Sequence, residues 1–312
     1  MRRFSALTIA GLVAASLTAC GGSDSAGSNS SSPSAGTSAP AASAVPNALT
    51  LPTVAGLLHE QLTAKKSVRM NLSTADGGQG TVAVSIASGT PELDITMTSE
   101  GETVRMIKTK DAVFMEEKDP KQQVAPGKTW TRFAADSKNP LAKLMLVLVG
   151  SMSSIADTAQ QKSLMVAGGT LSAPVAEQVG GVAAQRYTVS IDMTKALDTI
   201  DLRKYLSTNT KLLQDLSKDL GVKNDPDVDR LANLSDADLA KLKGNMLKAV
   251  AGKPLTYEIW ADAQNVPVKY SMEFPTKTRD KATITLSDWG TATVTAPPPA
   301  QVADMPDLPS AN

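Results

Sequence analysis

Between Ser67 and Phe133 six short apolar-containing runs follow one another, and in the first four apolar and polar side chains alternate. That period of two constrains the fold more than any other feature, because successive side chains of a strand point to opposite faces. The runs are Ser67 to Thr74 (Val68, Met70 and Leu72 in step), Thr81 to Ala87 (Val82, Val84, Ile86), the stretch with Leu93, Ile95 and Met97, Thr103 to Thr109 (Val104, Met106), Ala112 to Glu116, and Lys128 to Phe133. Gly77-Gly78, Gly89-Thr90-Pro91, Glu100-Gly101 and Lys110-Asp111 separate the earlier runs. Such a pattern predicts an antiparallel meander with one apolar and one wet face.

Helical periodicity surrounds the meander. Thr53 to Lys66 places Val54, Leu57, Leu58 and Leu62 on one side, after Pro52 and before two lysines. Asn139-Pro140 opens a second stretch with Leu141, Leu144, Met145, Leu148 and Met152 on one face. Its apolar run, Leu144 to Val149, is far below the ~20 residues of a membrane span. Strand signals return at Leu164 to Val166 and at Val182 to Ile191. Residues 194–251 read as helical, and Ser235-Asp236-Ala237-Asp238 is a capping box for a helix with Leu239, Leu242, Met246 and Val250. Strands follow at Leu255 to Ala261, Val266 to Phe274, Lys281 to Leu286 and Thr291 to Thr295, with turns at Ala263-Gln264-Asn265 and Asp288-Trp289-Gly290. The Pro-rich end, 297–312, reads as an irregular tail. With no internal repeat, 49–296 is expected to form a single α+β domain.

The chain begins Met1-Arg2-Arg3 and runs uncharged from Phe4 to Leu17, then reads Leu17-Thr18-Ala19-Cys20-Gly21. A basic start, a short apolar segment and small residues before a cysteine make a signal peptide, 1–19. The segment resembles the bacterial lipobox, which implies a diacylglyceryl group on Cys20 and cleavage before it. Cys20 is the only cysteine, so no internal disulfide can form. Residues 20–48 are mostly Ser, Ala, Gly and Pro, a flexible tether spanning roughly 25–30 Å as a random coil. The expected location is therefore the extracytoplasmic side of a cell membrane, held by lipid.

Chemistry is scarce. Lysine plus arginine and aspartate plus glutamate both number 31, and no basic patch marks a nucleic-acid binder. His59, the only histidine, has no second histidine for a metal cluster and reads as an ordinary helix residue. Asp225, Asp227 and Asp229 resemble the start of a calcium loop, but Arg230 and Asp236 stand where that loop needs Gly and Glu. There is no P-loop, dinucleotide fingerprint or G-x-S-x-G. These residues point to no enzyme, no cofactor and no metal. Aromatic residues are only 4% of the chain, whereas methionines number 12. Met70, Met97, Met106, Met165, Met193 and Met272 fall in strand-like segments, where methionine either fills a core or receives variable apolar shapes.

The lipobox, the tether, the leading helix with its meander, KTWTRF, and the run LTYEIWADAQNVPVKYSMEF…ATITLSDWGTATVTAPP together resemble the mycobacterial LppX/LprG lipoproteins, which have a LolA/LolB-like half-barrel. The resemblance covers most of residues 49–300. It implies a curved antiparallel sheet with helices packed on its concave side, and an apolar cavity for the acyl chains of lipids or lipoglycans. It implies lipid transfer or export, with an envelope transporter as a partner. By alternation the inward candidates are Val84, Ile86, Ile95, Met97, Met106, Leu144, Leu148 and Met272. The long helical stretch 194–251 departs from the family pattern. The competing expectation is a tethered structural or sensor protein that binds a protein partner and has no ligand cavity.

Overall fold

The computed structural model describes residues 49–306 apart from 100, 140–141, 147–148, 150–157, 200, 204–205, 207–209, 212–213, 215–232, 250–252 and 274–280. Cys20, the lipobox, the tether and the acidic run Asp225–Asp229 lie outside the described residues, as does Leu148.

Helix α1 (Leu51–Lys65) starts where Pro52 suits the first turn and Thr50 is extended. It stops at Lys66, whose φ of 71° is left-handed and whose N–H returns to Leu62 O. The meander follows as β1 (Ser67–Thr74), β2 (Gln79–Ser85), β3 (Glu92–Ser99), β4 (Glu102–Lys108), β5 (Ala112–Glu116) and β6 (Trp130–Ala134). Next come α2 (Thr158–Gly168), β7 (Gly169–Leu171), β8 (Val175–Val179), β9 (Val182–Ile191) and α3 (Met193–Thr199). Helix α4 (Asp236–Ala249) precedes β10 (Leu255–Asp262), β11 (Pro267–Glu273) and β12 (Lys281–Ser287), and β13 (Val302–Asp304) ends the series.

All thirteen strands join one open, curved, mixed sheet, in the order β13-β6-β5-β4-β3-β2-β1-β12-β11-β10-β9-β7, with β8 also on β9. Two antiparallel meanders are fused where β1 pairs with β12, Met70 opposite Leu286 and Leu72 opposite Ile284. The single parallel pairing among the described strands is β13 on β6. Helix α1 lies over the fused seam: Leu58 and Leu62 pack with Val68, Met70, Val84, Leu93, Ile95 and Leu286. Burying each such aliphatic side chain stabilises by about 1.5–3 kcal/mol. Helix α2 packs closely against α1 at Gly56, where a Cβ would meet Glu60 Oε1 at 2.7 Å and Lys162 Nζ at 2.9 Å.

Three expectations fail here, each for a local reason. Leu164 to Val166 belongs to helix α2 rather than a strand, with Met165 only 2% exposed. A short apolar run does not choose between helix and strand by period alone. Here the helix runs to Gly168 and the strand begins at Gly169, a glycine pair that permits an abrupt change: a Cβ on Gly169 would lie 2.1 Å from Met165 O. Thr291 to Thr295 is not a strand, because β12 already has β1 on one side and β11 on the other, leaving no sheet position for a direct continuation. The tail is not wholly irregular, since Val302–Asp304 is β13.

Candidate functional site

Cross-strand partners share a face, so the register sorts the sheet into two surfaces. One carries Val68, Met70 and Leu72 of β1, with Val82 and Val84, Leu93, Ile95 and Met97, then Met106, Met115, Val113 and Phe133 in the neighbouring strands. In the other direction it continues through Ile284, Tyr270, Ile259 and Tyr187. This is the surface beneath the helices, as the packing of α1 on Val84 and Ile95 requires.

The expected inward residues divide into groups. Val84 and Ile95 are buried under α1, at 3% and 2% exposure, and Ile86 and Met97 pack half-buried beside them. Met106 belongs to a second cluster formed by Val113, Phe133, Ala142 and Val149, with Met115, Met145, Leu146 and Met305 around it. Residues 142–146 of that cluster's covering segment are helical. Leu144, in the same segment, and Met272, opposite Tyr257 and Ala282, are half-buried and belong to neither cluster.

Half-buried apolar side chains join the two clusters as a band across β2 to β5: Val82 and Met97 pack against the first, Met106, Met115, Met145 and Met305 against the second, and Val104 lies opposite Met97. Gly80 makes room for it. A Cβ there would lie 2.3 Å from Met97 Sδ, so the thioether folds over bare backbone. Unbranched methionines in such a band can repack at small cost. Sequence periodicity could have found Met115, which is in step with Val113. Met305 carries no signal, since it follows a three-residue strand in a Pro-rich tail.

Polar groups on this face are few. Lys108 Nζ donates to Pro91 O at 2.6 Å, and burial lowers its pKa. The Tyr270 hydroxyl is buried beside the backbone of Leu58 without a hydrogen bond of normal geometry, and burial pushes its pKa well up. Gln185 Oε1 is likewise buried without a donor. A buried polar atom without a partner is costly. His59 is exposed on α1. Among the described residues, no three His, Cys, Asp or Glu side chains gather as a metal site, and no helix is long and apolar enough to cross a membrane.

The opposite face is polar over β1 to β3, and over β4 to β6 it carries a second apolar patch. Asn71, Ser73, Gln79, Thr81, Thr96, Thr98 and Thr285, with Leu72 and Gly80, line an open depression of about 380 Å³ there. Nearby, Arg186 donates to Glu258 Oε1 at 2.6 Å, and Lys281 reaches Glu258 Oε2 at 3.2 Å. Burial alone would raise the Glu258 pKa. The hydrogen bonds from Arg186 and Lys281 outweigh burial and hold it below the usual glutamate value of 4.5. A carboxylate with a depressed native pKa contributes stability above its unfolded pKa and loses it as pH falls through the folded one. Glu258→Gln is therefore expected to cost about 1–2 kcal/mol at neutral pH, with the difference from the parent chain shrinking below the 4.5 value. Urea unfolding of both chains across the acid range checks this, and a pH-independent difference contradicts it.

The chain is similar to two solved mycobacterial structures. The crystal structure of the Mycobacterium tuberculosis lipoprotein LppX shares 12% sequence identity with it at a TM-score of 0.42, over 78% of this chain and 97% of that one. LprF from Mycobacterium bovis shares 14% identity at a TM-score of 0.39, over 80% of this chain and 97% of the other. Both belong to the LppX/LprG lipoprotein group named from the sequence. At such identities no residue role carries over from either. No family model matches the chain, and no curated protein matches it.

Proposed function

We propose that this chain is a cell-envelope lipoprotein, anchored through lipid on Cys20, that holds the acyl chains of a lipid or lipoglycan against the helix-covered face of its sheet. The role would be lipid transfer or export, with an envelope transporter as the partner that role calls on. The half-buried methionine band carries this reading: Met97, Met106, Met115 and Met145 keep part of their apolar surface uncovered between sheet and helix. An acyl chain laid along such a band gains roughly 0.8 kcal/mol per buried methylene. In this reading Val84, Ile86, Ile95, Met97, Met106, Leu144, Leu148 and Met272 line the site. Tyr270 and Gln185 supply a hydrogen-bond donor and an acceptor for the polar end.

A second reading has one observation in its favour. Val84 and Ile95 are already covered by Leu58 and Leu62, as they would be in a structural or sensor protein whose sheet is filled by its own side chains. Under the lipid reading, α1 must shift for a ligand to reach them. One experiment separates the two: native mass spectrometry of the chain carrying Cys20→Ser, together with titration by a fluorescent fatty acyl probe. The lipid reading expects co-purified lipid and saturable probe binding. A bare protein that ignores the probe leaves the sensor reading.

A further inference from the structure

The chain does not end where β12 ends. After Ser287 it turns at Asp288–Gly290 and passes over the wet face, where Val294 and Val302 cover an apolar patch made by Ile107, Ala112, Phe114 and Trp130. Strand β13 then pairs in parallel with β6, Val302 beside Trp130 and Asp304 beside Arg132. The side chains alternate across that edge. Val302 and Asp304 stay on the wet face, whereas Met305 turns under to the helix-covered face and joins Met106, Met115 and Met145 around Phe133. Met305 N–H donates to Arg132 O at 2.9 Å, and Asn139 Nδ2 donates to Pro306 O at 2.5 Å. The tail thus wraps the end of the sheet from one face to the other.

Its attachment is short: beyond the contacts just named, Lys128 Nζ donates to Ala300 O at 2.7 Å. The strand has three residues, and the Arg132–Asp304 pair, at 2.9 Å, has side chains 36% and 71% exposed. Water screens such a pair strongly. Elements held by few buried contacts open locally well before the whole domain unfolds. The inner end of the strap, Met305, closes the methionine band where β6 meets the segment containing Ala142, Met145 and Val149.

We propose that residues 302–306 are a releasable strap over the mouth of the acyl site, so that ligand enters and leaves between β6 and the helical residues 142–146 when the strap lifts. This rests on the acyl-binding reading. A gate changes the rates of uptake and release together and leaves the affinity alone, whereas a merely structural element changes affinity or stability.

The test is a reversible clamp. Arg132→Cys with Asp304→Cys, in the chain carrying Cys20→Ser, puts two thiols at paired positions on the wet face, away from the band. The probe is a fluorescent fatty acid. The oxidised protein is expected to take up probe, and to release preloaded probe, about tenfold or more slowly than the reduced protein, because opening limits exchange. Its equilibrium affinity should match that of the reduced form, and reduction should restore both rates. Equal exchange rates in the two forms overturn the strap as a gate while leaving the acyl site standing, as does a change in only one of the two rates, which would shift the affinity. If the unclamped chain binds no probe at all, the acyl reading fails and the gate fails with it.

Discussion

Met106→Glu is expected to weaken binding of a fatty acyl probe about fiftyfold. Met106 is half-buried in the middle of the methionine band, opposite Ile95 on one side and Met115 on the other. A carboxylate at that position keeps its water, and an acyl chain must withdraw from it over about three methylenes at roughly 0.8 kcal/mol each. That sum, about 2.5 kcal/mol, corresponds to the stated loss at a factor of ten per 1.4 kcal/mol. Met106→Leu conserves volume and should bind within about twofold of the parent, since such swaps are well tolerated. Probe titrations of the three chains, each first shown to unfold cooperatively, make the comparison. An unchanged affinity in a folded Met106→Glu chain would sink the assignment of the band as the binding surface.

Phe133→Ala should produce the largest loss of stability, about 3–5 kcal/mol. The ring is 2% exposed and sits at the centre of the cluster that gathers Val113, Ala142 and Val149 with four methionines. The expected loss is a large part of the 5–15 kcal/mol that holds a typical domain together. Urea denaturation measures it directly. A loss below about 1 kcal/mol would mean that the cluster collapses onto the missing ring or is not tightly packed. Because Met305, Ala142 and Met145 meet in the cluster of that ring, the variant should also exchange ligand faster than the parent.

Much of the fold was legible because its instructions are local. The boundaries of β1 and β9 follow from alternation and the glycines beside them, and those of β5 from the Lys110-Asp111 turn. The turn residues Asn265 and Asp288 adopt the left-handed φ values, 59° and 53°, that their short polar side chains tolerate. Ser235 caps α4 as the capping box suggested, accepting the Asp238 N–H at 3.1 Å. The candidate site was legible only in part. Alternation decides which face a side chain occupies, so it put Val84, Ile95, Met97 and Met106 on one surface. It does not decide how far a helix covers that surface, and Val84 and Ile95 ended under Leu58 and Leu62 while Met97 and Met106 stayed half-open.

By itself, the sequence determined the strands of the first meander, the alternation along β1 to β4, the turns at Asn265 and Asp288, the Ser235 cap, and the expectation of a lipid anchor at Cys20, but not β7, β8 or β13. Each depends on residues within a few positions of one another. Only the tertiary structure decided that β1 lies against β12, so that Arg69 meets Asp288 across 219 positions at 2.7 Å. It alone decided that the tail runs over the wet face and returns beneath β6. The physical reason is common to both. Any strand of the right alternation can pair with any other, and which pairs form depends on the apolar area that the whole arrangement buries. That quantity belongs to the assembled faces, and no window of the chain contains it.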